Sequence, residues 1–291
     1  MTTVLTPTQW HPLAEAHAER ADALTRDYRE RRQAQQRHPV EDFLFTYYPT
    51  KPAQLRIWHP GAGRALAEAP EHARRRWYSS RDGAVTLNER AFLAERGDAV
   101  RFVHDLVSRT RARPARLSCF GLHEWAMVYR TEEVRHAQVP LRLGAAGTDE
   151  VVRSHSLRCT HFDAFRFFTV PAIPRNERRL TRTDQAALEQ PGCLHANMDV
   201  YKWAMKLGPA VPGELLLDAF ALARDIRALD MRASPYDLRD WGYEPVPIET
   251  ADGKATYVAA QREFAERANR LRDRVLEVTS SLLRTAATTP G

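Results

Sequence analysis

The spacing of apolar residues predicts helices along most of the chain. From Pro12 to Gln36, apolar positions recur at helical intervals and charged residues occupy the opposite face, which is typical of an amphipathic helix. A second apolar stripe runs from Tyr257 to Leu282 through a segment rich in Arg and Glu. We expect these two helices to form outer walls of the fold.

Two further helices are predicted nearer the core. Apolar residues from Glu214 to Met231 spread around nearly the whole helical wheel, which indicates a buried helix. Asp225 falls beside Leu222 and Leu229 on that wheel, so we expect its carboxylate to be surrounded by core. Another helix is predicted from Cys193 to Leu207, since a Pro-Gly pair precedes it and a Gly-Pro pair stops it.

Alternation of residue types predicts short strands at Val139–Leu143 and Leu157–Phe168. The expected fold is therefore mainly α, multihelical, with a few short strands. The candidate breaks at Pro60–Gly63 and Pro209–Gly213 are short turns rather than polar linkers. A length of 291 residues then favours a single helical domain over 1–291.

Composition argues against several classes of protein. Residues 1–10 have neither the basic nor the apolar region of a signal peptide, and no uncharged apolar run approaches membrane-spanning length. Cys119, Cys159 and Cys193 form no CxxC pair, which favours reduced thiols over a disulfide framework or a zinc knuckle. We expect a cytoplasmic protein without a membrane partner, and the oligomeric state stays open.

The formal net charge of +6 comes mostly from arginine. An Ala- and Arg-rich composition is typical of a GC-rich genome, and we favour that explanation for the average. Clusters such as Arg74–Arg76 and Arg109–Arg116 would also suit a phosphate backbone. DNA is therefore a suspected partner.

Candidate chemistry concentrates between residues 119 and 237. His161 and Asp163 stand two apart among four phenylalanines, where burial is costly without a function or a partner. The alternative is a core strand in which both side chains bond to the backbone and Arg166 is an ion partner.

A second group, His195, Asp199 and Lys202, shares one face of a predicted helix. That spacing can position a base or bind a metal, and it also describes a solvated row of ion pairs. A third group, Asp225–Asp237, covers the end of the buried helix and the acid-rich turn after it, and includes Arg232 and Tyr236. Loops after buried elements often carry active-site groups, although Arg232 could simply neutralise the last helical carbonyls.

Two flanking patches are rich in aromatic residues. One contains His123, Glu124 and Trp125, and the other contains Tyr47 and Tyr48. Either patch could wall a pocket for a flat ligand, and either could be ordinary core.

The histidines and acids of these patches are sufficient for a non-haem iron or zinc site. The chain contains no HExxH and no paired Glu-x-x-His, but His161-Phe162-Asp163 has the form of the first two ligands of a facial triad. The alternative metal set comprises His161, Asp163, His195 and Asp199.

Five segments together resemble an actinobacterial family commonly labelled 3-methyladenine DNA glycosylase. They are 38–63, 119–130, 159–168, 189–207 and 225–238. The resemblance implies a DNA base-excision N-glycosylase that releases alkylated purines without a cofactor. Helix-hairpin-helix glycosylases use a Gly-rich hairpin followed by a catalytic aspartate, and Pro60–Ala67 followed by Asp82 is a partial match to that motif. Such a PGxG is more often a plain turn before a helix.

The resemblance also assigns roles to the candidate residues. An aromatic slot would hold the flipped cationic base, and a carboxylate, Asp163 or Asp225, would stabilise the sugar cation, with His161 beside it. The expected substrate-binding residues are Tyr47, Tyr48, His123, Glu124, Trp125, Arg166, His195, Asp199, Lys202, Trp203, Arg232 and Tyr236.

Two other functions stay open. One is a metal-dependent helical enzyme acting on a small molecule, and the other is a non-catalytic nucleic-acid-binding or assembly protein. For either enzyme we predict one shared cleft, because burying each polar group separately would be expensive. The residues expected to line it are His123, His161, Asp163, His195, Asp199 and Asp225.

Overall fold

The computed structural model describes residues 3–134, 136 and 138–288. It is 60% helical with 7% strand, so the predicted mainly α class is confirmed. The α-helices are α1 (Pro7–Gln33), α2 (Phe43–Tyr47), α3 (Pro52–Leu55), α4 (Pro70–Ala73), α5 (Glu89–Ala112), α6 (Leu122–Ala126), α7 (Gly144–Ser154), α8 (Phe162–Phe165), α9 (Gln185–Leu188), α10 (Leu194–Lys206), α11 (Gly213–Arg232) and α12 (Ala251–Thr288).

The two helices predicted near the core form the centre of the molecule. Helix α10 packs against α11, and both pack against α12, which also runs along α5. Their apolar residues belong to one large buried cluster, as expected from an apolar surface that extends around the helix. The polar side chains that α10 and α11 carry are consequently held deep inside the protein.

Helix α1 begins earlier than its apolar stripe indicates. It starts at Pro7 rather than Pro12 and ends at Gln33 rather than Gln36. The Thr6 backbone N–H donates to Oε1 of Gln9 at 2.9 Å, and Pro7 suits the first helical position because it has no N–H to satisfy. Capping chemistry therefore sets this boundary rather than hydrophobic periodicity.

A small sheet that the sequence patterns did not indicate covers one end of α1. Its strands are β1 (Thr3–Leu5), β2 (Arg64–Ala67), β3 (Tyr78–Arg81) and β4 (Ala84–Leu87), in the order β1-β2-β4-β3. Strand β1 is parallel to β2, and the remaining pairs are antiparallel. Asp82 and Gly83 form the β3–β4 turn with φ values of 50° and 75°, a conformation that Asp-Gly pairs favour in tight hairpins.

The two predicted strands are wrong. Residues 139–143 and 157–168 contribute only isolated bridges, Leu141 with Tyr236 and Leu157 with Asn176, and the second segment contains helix α8. His161 has an extended backbone, but helix α8 begins directly after it, so the backbone turns before a strand can form. Alternating residue types there reflect a buried turn rather than a pleated strand.

The partial match to a glycosylase hairpin is also wrong. Residues 60–63 form a turn that leads into strand β2, not into a helix. Asp82, the aspartate that would follow such a hairpin, has a side chain that is 92% exposed. No described helix is long and apolar enough to cross a membrane.

Candidate metal centre and its pocket

A histidine–aspartate pair joins helices that are far apart in sequence. His123 lies on α6 and Asp230 lies on α11, and His123 Nε2 donates to Asp230 Oδ1 at 2.9 Å. Both residues are almost fully buried. Although burial opposes charge, the Asp230 carboxylate raises the pKa of His123 well above its usual value, and His123 lowers the pKa of Asp230. The pair is therefore ionic inside the core.

Arg227 neutralises the remaining charge of this group. Its Nη1 donates to Glu124 Oε1 at 3.1 Å and to Asp230 Oδ2 at 3.3 Å, and its side chain is only 4% exposed. Burial raises the pKa of Glu124, and the Arg227 guanidinium opposes that shift. The Arg227 Cζ also lies 4.1 Å from the Phe43 ring centroid, a cation–π distance. Arg227 thus fixes one oxygen of each carboxylate.

His195 is the uncharged histidine of the site. Its ring centroid lies 4.4 Å from that of His123 and 5.5 Å from that of His161. Burial and the nearby His123 cation lower the pKa of His195 well below its usual value. Within the described part of the chain its ring nitrogens make no hydrogen bond, so His195 has a lone pair available at the cavity it lines.

A second ionic group adjoins His195 on the other side. His161 Nδ1 lies 3.2 Å from Glu189 Oε1, and His161 Nε2 lies 3.6 Å from Asp199 Oδ2. Lys202 Nζ donates to Asp199 Oδ2 at 2.9 Å and to Asp163 Oδ2 at 3.0 Å. Although burial acts in the opposite direction, Lys202 lowers the pKa of Asp163, which stays ionised.

The first turn of α10 sets the depth of His195. Gly192 precedes this helix, and a Cβ there would lie 2.4 Å from the Arg116 carbonyl oxygen. Gln261 of α12 donates to the Gly192 carbonyl. Arg272 of α12 donates to the Ala196 carbonyl at 2.9 Å. Helix α12 therefore holds the end of α10 that carries His195.

Two sets of side chains have the composition of metal ligands. His123, Glu124, His195 and Asp230 each offer one ligand atom, and these atoms lie within 4.8 Å of one another. The same holds for His161, Glu189 and Asp199. Imidazole and carboxylate together suit zinc, manganese and non-haem iron.

The two sets differ in what already occupies their carboxylates. Both oxygens of Asp199 are engaged by donors, Oδ1 by the Tyr48 hydroxyl at 2.9 Å and Oδ2 by Lys202. In the first set, His123, itself a potential ligand, is the only described residue that engages Asp230 Oδ1. A divalent ion could replace the His123 proton there without displacing a lysine. The first set is therefore the better cation site.

A pocket of about 340 Å³ opens onto this first set. Aromatic and thioether side chains form its walls, and two carboxylates, two imidazoles and a guanidinium form its polar side. The lining residues are Phe43, Thr46, Tyr47, Glu124, Met127, His136, Asp163, Ala164, Phe167, His195 and Arg227. Volume and lining suit a small molecule with a flat apolar part.

Five of the six residues predicted to share a cleft are brought together at this centre. They are His123, His161, Asp163, His195 and Asp199. Asp225 is not among them. Its side chain is 39% exposed and accepts from Arg267 at 2.8 Å, because Asp225 lies at the edge of the buried face of α11, where α12 passes. The predicted burial of Asp225 is wrong and Asp225 lies outside this centre, whereas its catalytic role stays a prediction.

Several predicted pocket walls are structural instead. Trp125 is fully buried, and its Nε1 donates to the Ala233 carbonyl at 2.8 Å. Trp203 packs against Phe102, and Tyr48 is buried behind Asp199.

Among the remaining candidates, Tyr47 and Glu124 do line the pocket. Arg166 lies at its edge, 42% exposed, with its guanidinium over the Phe167 ring.

The third predicted group does not reach the pocket. Arg232 donates to the Glu244 carbonyl at 2.8 Å, and Tyr236 lies in a separate small core. The predicted metal set of His161, Asp163, His195 and Asp199 is not one of the close ligand groups among the described residues, and Lys202 bridges its two carboxylates.

The sequence patterns missed three charged residues of the site, namely Glu189, Arg227 and Asp230. For two of them a signal was present. Arg227 and Asp230 stand three apart on a helix whose apolar residues surround it, so an ion pair had to be buried somewhere on it. Glu189 lies outside regular structure and gave no comparable signal.

Comparison of the chain with protein-family models, with curated proteins and with solved structures found no match. The class of the protein is therefore defined by its fold and its site. It is a mainly α-helical protein with a buried histidine–carboxylate centre that faces a small pocket.

Proposed function

We propose that this protein is a metal-dependent enzyme that acts on a small, flat molecule. One observation carries the proposal: His123, Glu124, His195 and Asp230 converge from three helices with ligand atoms within 4.8 Å of one another. Two imidazoles and two carboxylates that face one another are the donor types that zinc, manganese and non-haem iron bind.

The state of each side chain supports this assignment. His195 is neutral and makes no described hydrogen bond, as a metal-binding imidazole requires. Arg227 orients Glu124 and Asp230 through one oxygen each and leaves the other oxygen of each carboxylate outside that contact. A divalent ion bound by this set would supply Lewis acidity, which polarises a substrate oxygen or lowers the pKa of a bound water.

The rest of the pocket would bind and orient the substrate. Phe43 and Tyr47 stack on each other with ring centroids 5.0 Å apart, and Phe167 lines the same pocket. These rings offer flat apolar surfaces to a ligand. Asp163 lines the same space and stays ionised, although its oxygens already accept from Arg182 and Lys202.

Metal binding by purified protein tests the proposal. Chelator-treated protein is titrated with Zn²⁺, with Mn²⁺ and, without oxygen, with Fe²⁺ in a calorimeter, and we expect about one ion per chain for at least one of them. Asp230→Asn and His195→Ala should lose this binding. Asp225→Asn is the matched control on the same helix and should retain it.

Circular dichroism shows whether each variant is folded. The proposal fails if the folded wild type binds none of the three ions at micromolar concentration. It also fails if folded His195→Ala and Asp230→Asn bind an ion as tightly as Asp225→Asn does.

A base-excision N-glycosylase is a second candidate, favoured by the aromatic pocket walls and by the ionised Asp163 beside them. Such a pocket could stack a flipped cationic purine, and the carboxylate would stabilise the sugar cation. Free 3-methyladenine released from methylated duplex DNA is measured by chromatography, with metal-free protein, metal-loaded protein and Asp163→Asn. Release without metal that Asp163→Asn abolishes would favour this candidate, and no release in any sample would reject it.

A further inference from the structure

A larger cavity of about 690 Å³ shares none of its described lining residues with the aromatic pocket. Four arginines line it: Arg113, Arg116, Arg158 and Arg178. Glu177 is the one acidic residue among its described lining residues. Guanidinium groups gathered around a concave space repel one another unless an anion lies between them.

The arginines differ in how they are held. Arg113 is fixed, since its Nη1 and Nη2 donate to the Glu189 and Ala186 carbonyls at 2.7 Å each. Arg158 Nε lies 3.7 Å from Glu177 Oε2, a loose pair. In the described part of the chain, the side chains of Arg116 and Arg178 form neither a hydrogen bond nor an ion pair. Two planar guanidinium groups are therefore left for a ligand.

We propose that this cavity binds a phosphate-bearing small molecule. Arginine presents paired donors that match phosphate oxygens, and such charge-assisted bonds are the strong ones. The cavity volume lies in the range of small-molecule sites. Binding of a DNA duplex would instead need a row of cations along an open surface. Thr160 and Gln190 add neutral polar groups to the wall.

The cavity also communicates with the histidine cluster. Cys119, Cys159 and Thr160 line both this cavity and a narrow space of about 10 Å³ that reaches His123 and His195. That space is on the scale of one water molecule. The cavity and the histidine cluster are therefore joined through shared wall residues, and the phosphate assignment does not depend on a metal.

Calorimetric titration of chelator-treated protein with inorganic phosphate and with pyrophosphate tests this site. Arg116→Gln/Arg178→Gln should bind pyrophosphate about tenfold more weakly or worse, because each lost charged bond contributes on that scale. Arg179→Gln is the matched control, since Arg179 is exposed between two lining residues and does not line the cavity. His195→Ala should bind pyrophosphate like the wild type, which separates this site from a metal-bound phosphate.

Three results would overturn the proposal. The first is no pyrophosphate binding at millimolar concentration by the wild type. The second is equal weakening in Arg179→Gln and in the double variant. The third is that a short DNA duplex binds more tightly than pyrophosphate and competes with it, and that the double variant loses this DNA binding. That result would assign the cavity to a nucleic-acid backbone.

Discussion

Replacing Arg227 by methionine tests whether the buried centre depends on this guanidinium for charge balance. Methionine keeps much of the side-chain length and removes the charge from between Glu124 and Asp230. Asp230 is fully buried and Glu124 alone of the two lines the pocket, so water can replace the lost donor only at Glu124. Breaking a buried ion pair by removing one partner costs about 3–5 kcal/mol, and we expect a loss in that range for metal-free protein.

The matched control is Arg267→Met, which breaks the pair with Asp225 at the edge of the same helix. The side chains of that pair are 31% and 39% exposed, and exposed pairs contribute only about 0–1 kcal/mol. Urea unfolding followed by circular dichroism measures both variants, and equal slopes of the transition make the comparison valid. A loss in Arg227→Met no larger than in Arg267→Met would refute the proposed charge balance.

The pH dependence gives a second readout of the same change. Burial already raises the pKa of Glu124, and loss of Arg227 removes the cation that opposes this shift. A carboxyl whose folded-state pKa is raised penalises folding above its unfolded pKa, and the penalty disappears as the pH falls to that value. The difference between wild type and Arg227→Met should therefore shrink from pH 7 toward pH 5, whereas a purely steric defect would not change.

Two further predictions concern the scaffold around the site. Gly192→Ala should destabilise the protein by about 1–3 kcal/mol, because the added Cβ would lie 2.4 Å from the Arg116 carbonyl oxygen. Gly97→Ala in α5 should stabilise it by about 0.5–1 kcal/mol, because the Cβ there meets only the flexible end of Arg101 at 3.4 Å. Urea unfolding of both variants checks the opposite signs, and equal signs would contradict the described packing. Burial lowers the pKa of His59 to about 3, whereas its pKa in the unfolded chain is near 6.5. The folded protein therefore holds a neutral His59, and the stability that this difference contributes is complete above pH 6.5. As the pH falls below 6.5, that stability decreases by up to about 1.4 kcal/mol per pH unit. Wild type should therefore lose more stability between pH 7 and pH 5 than His59→Phe does, and parallel losses would show that His59 does not titrate as described.

The long helices could be predicted from the sequence because their burial is encoded in one continuous segment. The pattern from Glu214 to Met231 identified α11 as buried, and the structure agrees to within a residue at each end. The sheet gave no comparable signal, since its strands have three or four residues each and pair across separations such as Thr3 with Arg64. Periodicity needs more residues than such a strand contains.

The histidines of the site were predictable, but their charged partners Glu189, Arg227 and Asp230 were not. His123, His161 and His195 were recognised because each is a polar residue within an apolar segment. Which carboxylate faces which imidazole depends on how α6, α10 and α11 pack, and helical wheels do not contain that information. Asp225 and Asp230 illustrate the limit: five residues apart on one helix, one meets Arg267 near solvent and the other meets His123 in the core.

The contacts between α12 and the start of α10 have a consequence for biosynthesis. During translation α6, α10 and α11 are made first, but Arg272, which holds the Ala196 carbonyl, follows later in the chain. Until that residue has left the ribosome, the turn that carries His195 lacks its support from α12. A nascent or truncated chain that ends before residue 272 would therefore lack the contact that holds the turn carrying His195 in place.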